Sequence, residues 1–70
     1  MAVSNKVRTF RFMAGEMSQA ELAERVGVSR QTIVAVEKGN YNPSVELALR
    51  LARALATTVE ALFVLAEEGS

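Results

Sequence analysis

The stretch Gln19-Ala20-Glu21-Leu22-Ala23-Glu24-Arg25-Val26-Gly27-Val28-Ser29-Arg30-Gln31-Thr32-Ile33-Val34-Ala35-Val36-Glu37-Lys38 decides how the chain folds. It contains two apolar-periodic runs joined by Gly27-Val28-Ser29. Leu22, Ala23 and Val26 recur at the spacing of one helix face, and so do Ile33 and Val36. Ser18 precedes the first run with Glu21 three residues on, the S-x-x-E form of a capping box, and Ser29 precedes the second. Two helices crossing steeply over so short a joint need three things. These are a small residue where they meet, a residue free to take left-handed angles at the bend, and an apolar anchor on the second helix. Ala23, Gly27 and Ile33 meet those needs, Val28 buries the turn, and Leu22, Val26 and Val36 complete a small core.

Reading outward, capping residues divide the rest of the chain in the same way. The spacing of Val7, Phe10 and Met13 predicts a first helix from about Asn5 to Met13, ended by Gly15. The second helix runs from Ser18 to Gly27, and the third spans roughly Arg30 to Lys38 and is closed by Gly39. Asn40-Tyr41-Asn42-Pro43 reads as a turn, because Asn tolerates left-handed angles and Pro43 holds Asn42 extended. Ser44 caps a fourth helix reaching about Leu55 with Leu47, Leu51, Ala52 and Leu55 inward. Thr57 or Thr58 caps a short fifth helix containing Val59, Leu62 and Phe63. The expected architecture is all-α, five helices in one domain over residues 1–70, with the helix-turn-helix unit at about 19–38 and no internal repeat or linker.

Composition narrows the function classes. A chain of 70 residues supports one small core, whose net stability is roughly 3 to 5 kcal/mol, so a partner subunit is an advantage. Half of the residues are hydrophobic and the aromatics are only Phe10, Phe12, Tyr41 and Phe63, so the core is to be built of Leu, Val and Ala. With neither cysteine nor histidine, disulfides, thiol nucleophiles, imidazole bases and the usual zinc ligands are unavailable. No nucleophile and base, metal set or phosphate-cradling loop can be assembled, so the chain is read as no enzyme, with no metal, cofactor or small-molecule ligand. No apolar run approaches the roughly 20 residues that span a bilayer, and no secretory leader pattern stands at the N-terminus, which reads as cytoplasmic. The formal net charge is zero, but residues 1–42 carry six basic and four acidic side chains and residues 43–70 carry two and four. The weak basic bias therefore lies in the half that holds the helix-turn-helix. Such a unit presents the start of its second helix outward, where side chains reach base edges in a major groove.

Gln19-Ala20-Glu21-Leu22-Ala23, then Gly27-Val28-Ser29-Arg30-Gln31-Thr32-Ile33, then Glu37-Lys38-Gly39 resemble the lambda repressor and Cro type (XRE family) of helix-turn-helix regulator. Tyr41-Asn42-Pro43-Ser44, Leu47-Ala48 and Leu51-Ala52 are similar to its short single-domain members, and the likeness covers about residues 5–65. The resemblance implies a five-helix lambda repressor-like domain whose third helix is the recognition helix. It also implies a function as sequence-specific transcriptional regulator, usually a repressor, acting as a homodimer on an inverted repeat in double-stranded DNA. It assigns base edges to Arg30 and Gln31. It gives the DNA backbone to Gln19 at the start of the second helix, to Ser29 and Thr32, and to Lys38, Asn40, Tyr41 and Asn42 beyond the third. An ion pair between Arg11 and Glu37, joining helices one and three, is implied in the same way.

Three features depart from the family pattern. Val34 and Ala35 stand where relatives often carry polar readers, which leaves hydrogen-bonded readout to Arg30 and Gln31 and apolar contact with a thymine methyl to Val34. The connection Gly15-Glu16-Met17-Ser18 is one residue longer than is common. Ala56 takes the place of a helix-ending glycine, and at a left-handed position it costs roughly 1 kcal/mol. The apolar run Leu62-Phe63-Val64-Leu65 exceeds what one short helix buries and is read as a dimer contact, the alternative being the end of the core. Glu67 and Glu68 are read as a solvated tail. The competing functional class is a protein-interaction module, such as an antitoxin, that uses the helix-turn-helix as scaffold.

Overall fold

Four of the five helices start on a hydroxyl, and the hydroxyls are those the spacing selected. In the computed structural model, which describes residues 3–65, Ser18 Oγ accepts from the Glu21 N–H at 3.0 Å, and Ser29 Oγ from Thr32 at 3.2 Å. Ser44 Oγ accepts from Leu47 at 3.1 Å, and Thr58 Oγ1 from Ala61 at 3.1 Å. Each bond satisfies one of the donors that a helix start leaves without an intrahelical partner. Only the serine half of the capping box forms at Ser18, because the Glu21 carboxylate turns to Arg25 at 3.0 Å.

The elements run β1 (Val3–Asn5), α1 (Val7–Met13), α2 (Gln19–Val26), α3 (Arg30–Lys38), α4 (Val45–Ala54), α5 (Val59–Leu62) and β2 (Phe63–Leu65). The five helices are those expected, and a two-stranded sheet is added to them. β1 and β2 pair antiparallel with Val3 opposite Leu65, Ser4 opposite Val64 and Asn5 opposite Phe63. The first helix accordingly begins at Val7 rather than Asn5. Asn5 belongs to the ribbon, its Oδ1 accepting from the Val7 N–H at 3.2 Å and its Nδ2 donating to the Val36 carbonyl at 2.7 Å. The Lys6 N–H donates to the Leu62 carbonyl at 2.8 Å, which seats the start of α1 on the end of α5.

Leu22, Val26, Ile33, Val36, Leu51 and Leu62 form the centre of the core, all but closed to solvent, with Val7, Ala23, Leu47, Ala52 and Leu55 around them. The inward stripes of α2, α3 and α4 are thus as expected. α1 differs. Met13, expected inward, is 70% exposed, and Met17, four residues later, is buried in its place. The cause lies between them: Gly15 and Glu16 both take positive φ, 86° and 57°, and this left-handed pair turns the chain back under α1. The Met17 N–H then donates to the Arg11 carbonyl at 3.0 Å. Nor does Asn40 take the left-handed angles that asparagine tolerates in a turn. Tyr41 to Ser44 has no regular structure, and the reversal is made at Gly39, φ 81°.

α2, α3 and α4 end alike, on a residue of positive φ followed by a long backbone bond to the preceding turn. The acceptors and donors are Ala23 with Val28, Ala35 with Asn40, and Ala52 with Thr57. Glycine fills the left-handed position in the first two, Gly27 and Gly39, but alanine fills the third, Ala56 at φ 56°. A Cβ in that region is crowded by the neighbouring carbonyl. Ala56→Gly is therefore expected to raise the unfolding free energy by about 1 kcal/mol, read as a higher urea midpoint at unchanged slope.

Candidate nucleic-acid interface

The capped start of α3 stands clear of the core. Arg30 and Gln31 are exposed in its first turn, and Gln31, Val34 and Lys38 follow one another along one stripe of the helix. Val34 and Ala35 are half-buried, so between Gln31 and Lys38 the helix shows mainly apolar surface. Ser29 and Thr32 are tied to one another, their hydroxyls 3.1 Å apart while Ser29 caps the helix. Lys38, the last residue of α3, and Asn40, Tyr41 and Asn42 beyond it are all exposed.

Gln19 begins α2 and is half-buried, its Nε2 donating to Glu37 Oε1 at 3.1 Å. That carboxylate is held in turn by Arg11, whose Nε reaches Oε2 at 2.7 Å and whose Nη2 reaches Oε1 at 3.1 Å. The third arm of the guanidinium, Nη1, donates to the Met17 carbonyl at 2.7 Å. The Arg11 and Glu37 side chains are only 8% and 9% exposed. A two-pronged, nearly dry ion pair thus links α1 to α3, as the resemblance implied, and it fixes the amide that opens α2. The link from Glu37 to Gln19 was not anticipated. Eighteen residues separate the two, and no spacing rule pairs residues on different helices.

The same network forms one wall of a groove of about 560 Å³ between α1 and α3, lined by Lys6, Arg8, Phe12, Gln19, Val34 and Lys38 among others. Arg8 and Arg11 each bring a guanidinium near the Phe12 ring, at 5.5 and 5.3 Å from its centroid. Lys6 and Arg8 were not among the residues the sequence singled out, because single cations at a helix start carry no motif.

The expected dimer contact is only partly at the surface. Leu62 is fully buried and is part of the core, because it ends α5 on the inward face, so it offers nothing to a second chain. Phe63 is half-buried and packs against that core. Val64 and Leu65 are exposed at 43% and 60%. A second apolar stripe was missed: Val45 and Leu49, one turn apart on α4, are 77% and 57% exposed. Glu67 and Glu68 lie outside the described residues. Among those described, no three His, Cys, Asp or Glu side chains gather as a metal site, and no helix is long and apolar enough to cross a membrane.

A family described as helix-turn-helix matches residues 12–62. An uncharacterized HTH-type transcriptional regulator of Methanothermobacter thermautotrophicus is 58% identical over 55 residues, which cover 77% of this chain and 80% of the relative. Among solved structures, the restriction-modification controller protein C.AhdI from Aeromonas hydrophila superposes with a TM-score of 0.70 at 34% identity, covering 79% of this chain and 82% of that one. ClgR, the clp gene regulator of Corynebacterium glutamicum, superposes with a TM-score of 0.71 at 34% identity over 76% of this chain. This chain spans only 55% of the ClgR chain. With the match extending from the last turn of α1 to the end of α5, the chain belongs to the XRE-type helix-turn-helix family of transcriptional regulators and has its lambda repressor-like fold.

Proposed function

We propose that the protein is a sequence-specific regulator, a repressor, that reads the major groove of double-stranded DNA with α3 as a cytoplasmic homodimer. The observation that carries the reading is the exposed pair Arg30 and Gln31 at the start of α3, together with a Gln19 amide that a buried ion pair holds near the other end of that helix. Arg presents two donors to guanine O6 and N7, and Gln a donor and an acceptor to adenine N7 and N6. Gln19, Ser29, Thr32, Lys38, Asn40, Tyr41 and Asn42 serve the sugar-phosphate backbone, which sets register without carrying sequence. The apolar stretch at Val34 suits a thymine methyl. Val64 and Leu65 join two copies, placing the recognition helices in successive major grooves roughly 34 Å apart.

Selection of binding sites from a random duplex pool tests this, and an enriched inverted repeat with half-sites about one helical turn apart is expected. Arg30→Ala and Gln31→Ala should each relax preference at one base pair, by about 1–3 kcal/mol of discrimination. Gln19→Ala should weaken binding to every duplex alike. An unchanged selected site for Arg30→Ala at fixed salt would show that α3 is not the reading element. The exposed Val45 and Leu49 favour a second reading, a protein-interaction module such as an antitoxin, which predicts a stable partner retained at high salt and no enriched site.

A further inference from the structure

We propose that the groove between α1 and α3 is a seat for the DNA sugar-phosphate backbone, with Lys6 and Arg8 as its cationic contacts. This rests on the DNA-binding reading above and extends it to a helix outside the helix-turn-helix. The groove is continuous with the reading surface, because Val34 and Lys38 of α3 and Gln19 of α2 line it together with Lys6 and Arg8. A duplex seated against the Gln31, Val34 and Lys38 stripe therefore brings one of its strands past α1.

The electrostatics of the groove point the same way. Glu37 is the one carboxylate lining it, and Arg11 holds that carboxylate with two charge-assisted bonds, which cancels its repulsion of a phosphate. Among the described residues, Lys6, Arg8 and Lys38 have no ion-pair partner, so the groove keeps three uncompensated cations on a chain of zero formal net charge. Elsewhere on the described surface, Arg25 and Arg50 are each paired with a glutamate one helical turn away, while Arg30 and Arg53 stand singly rather than gathered in a groove. Arg8 is also restrained, its guanidinium resting 5.5 Å from the centroid of the half-exposed Phe12 ring. A planar cation steadied on an aromatic face loses less conformational freedom when it takes a phosphate oxygen. The exposed Phe12 thus acquires a purpose as the platform for Arg8.

The test is the salt dependence of binding to a short duplex of mixed sequence, followed by fluorescence anisotropy, because each phosphate contact releases counterions and adds about 0.9 to the slope of log affinity against log salt. Lys6→Gln and Arg8→Gln are each expected to lower that slope by about 0.9, and the double variant by about twice as much. Arg8→Lys, which keeps the charge, should keep the slope. Arg53→Gln serves as control, since Arg53 is an exposed cation on α4 away from the groove, and its slope should equal that of the unaltered protein. The three substituted side chains, Lys6, Arg8 and Arg53, are exposed, so folding is preserved, and an unchanged circular dichroism melt verifies it. If the unaltered protein shows a steep slope and Lys6→Gln and Arg8→Gln leave it unaltered, the groove is not a backbone seat while the DNA reading stands. A flat slope for the unaltered protein overturns both.

Discussion

Arg11→Met is expected to lower the unfolding free energy by about 3–5 kcal/mol, the loss found when one member of a buried ion pair is removed and the other left behind. The guanidinium satisfies three oxygens at once: both of Glu37 and the carbonyl of Met17. Without it the Glu37 carboxylate, 9% exposed, retains only the Gln19 amide, and a carbonyl at the left-handed turn under α1 loses its donor. A single core of this size supplies about 3–5 kcal/mol, so the single variant should be largely unfolded in mild denaturant or without it. Replacing both partners, Arg11→Met with Glu37→Leu, should recover most of the loss, because no charge is then stranded in the interior. Urea titrations of the two variants side by side distinguish these outcomes. A loss below about 1 kcal/mol for Arg11→Met would mean the pair is solvated and does not join α1 to α3.

The second large effect separates two leucines three residues apart. Leu62→Ala empties a site closed to solvent on every side and is expected to cost about 2–5 kcal/mol at any protein concentration. Leu65→Ala removes a side chain that is 60% exposed, and should change the stability of the single chain by no more than about 0.5 kcal/mol. If Val64 and Leu65 join two copies, that variant instead shifts the monomer-dimer balance, so sedimentation at several concentrations is the measurement. Equal effects of the two substitutions on folding would place both residues in one core, and the dimer contact would have to be sought on the Val45 and Leu49 stripe of α4.

What was readable from the sequence is what is local. Ser18, Ser29, Ser44 and Thr58 accept from the backbone three residues ahead, and the apolar stripes of α2, α3 and α4 repeat within one or two turns, so spacing alone located them. The helix-turn-helix and its exposed Arg30 and Gln31 follow from those two patterns. The ribbon did not, because Val3–Asn5 acquires its partner only at Phe63–Leu65 and three residues are too few to show alternation. Met13 and Met17 changed places because two successive left-handed residues, one of them a glutamate, are not a recognisable turn signature. At the candidate interface, the residue types and positions were legible, but the tie from Glu37 to Gln19 and the gathering of Lys6 and Arg8 with Lys38 depend on how α1 lies against α3.

The ribbon also gives the described chain the topology of a ring. Val3 and Leu65 lie side by side, so everything between them is a single loop closed by strand pairing. The entropy lost on closing a loop grows only with the logarithm of its length, and long-range pairing is slow to be rewarded because that loss comes first. The packing of α2 on α3 needs contacts only a few residues apart in the chain. The α2–α3 pair can therefore assemble on its own local contacts, while the clasp that fixes α1 against α5 must wait for the two ends to find each other.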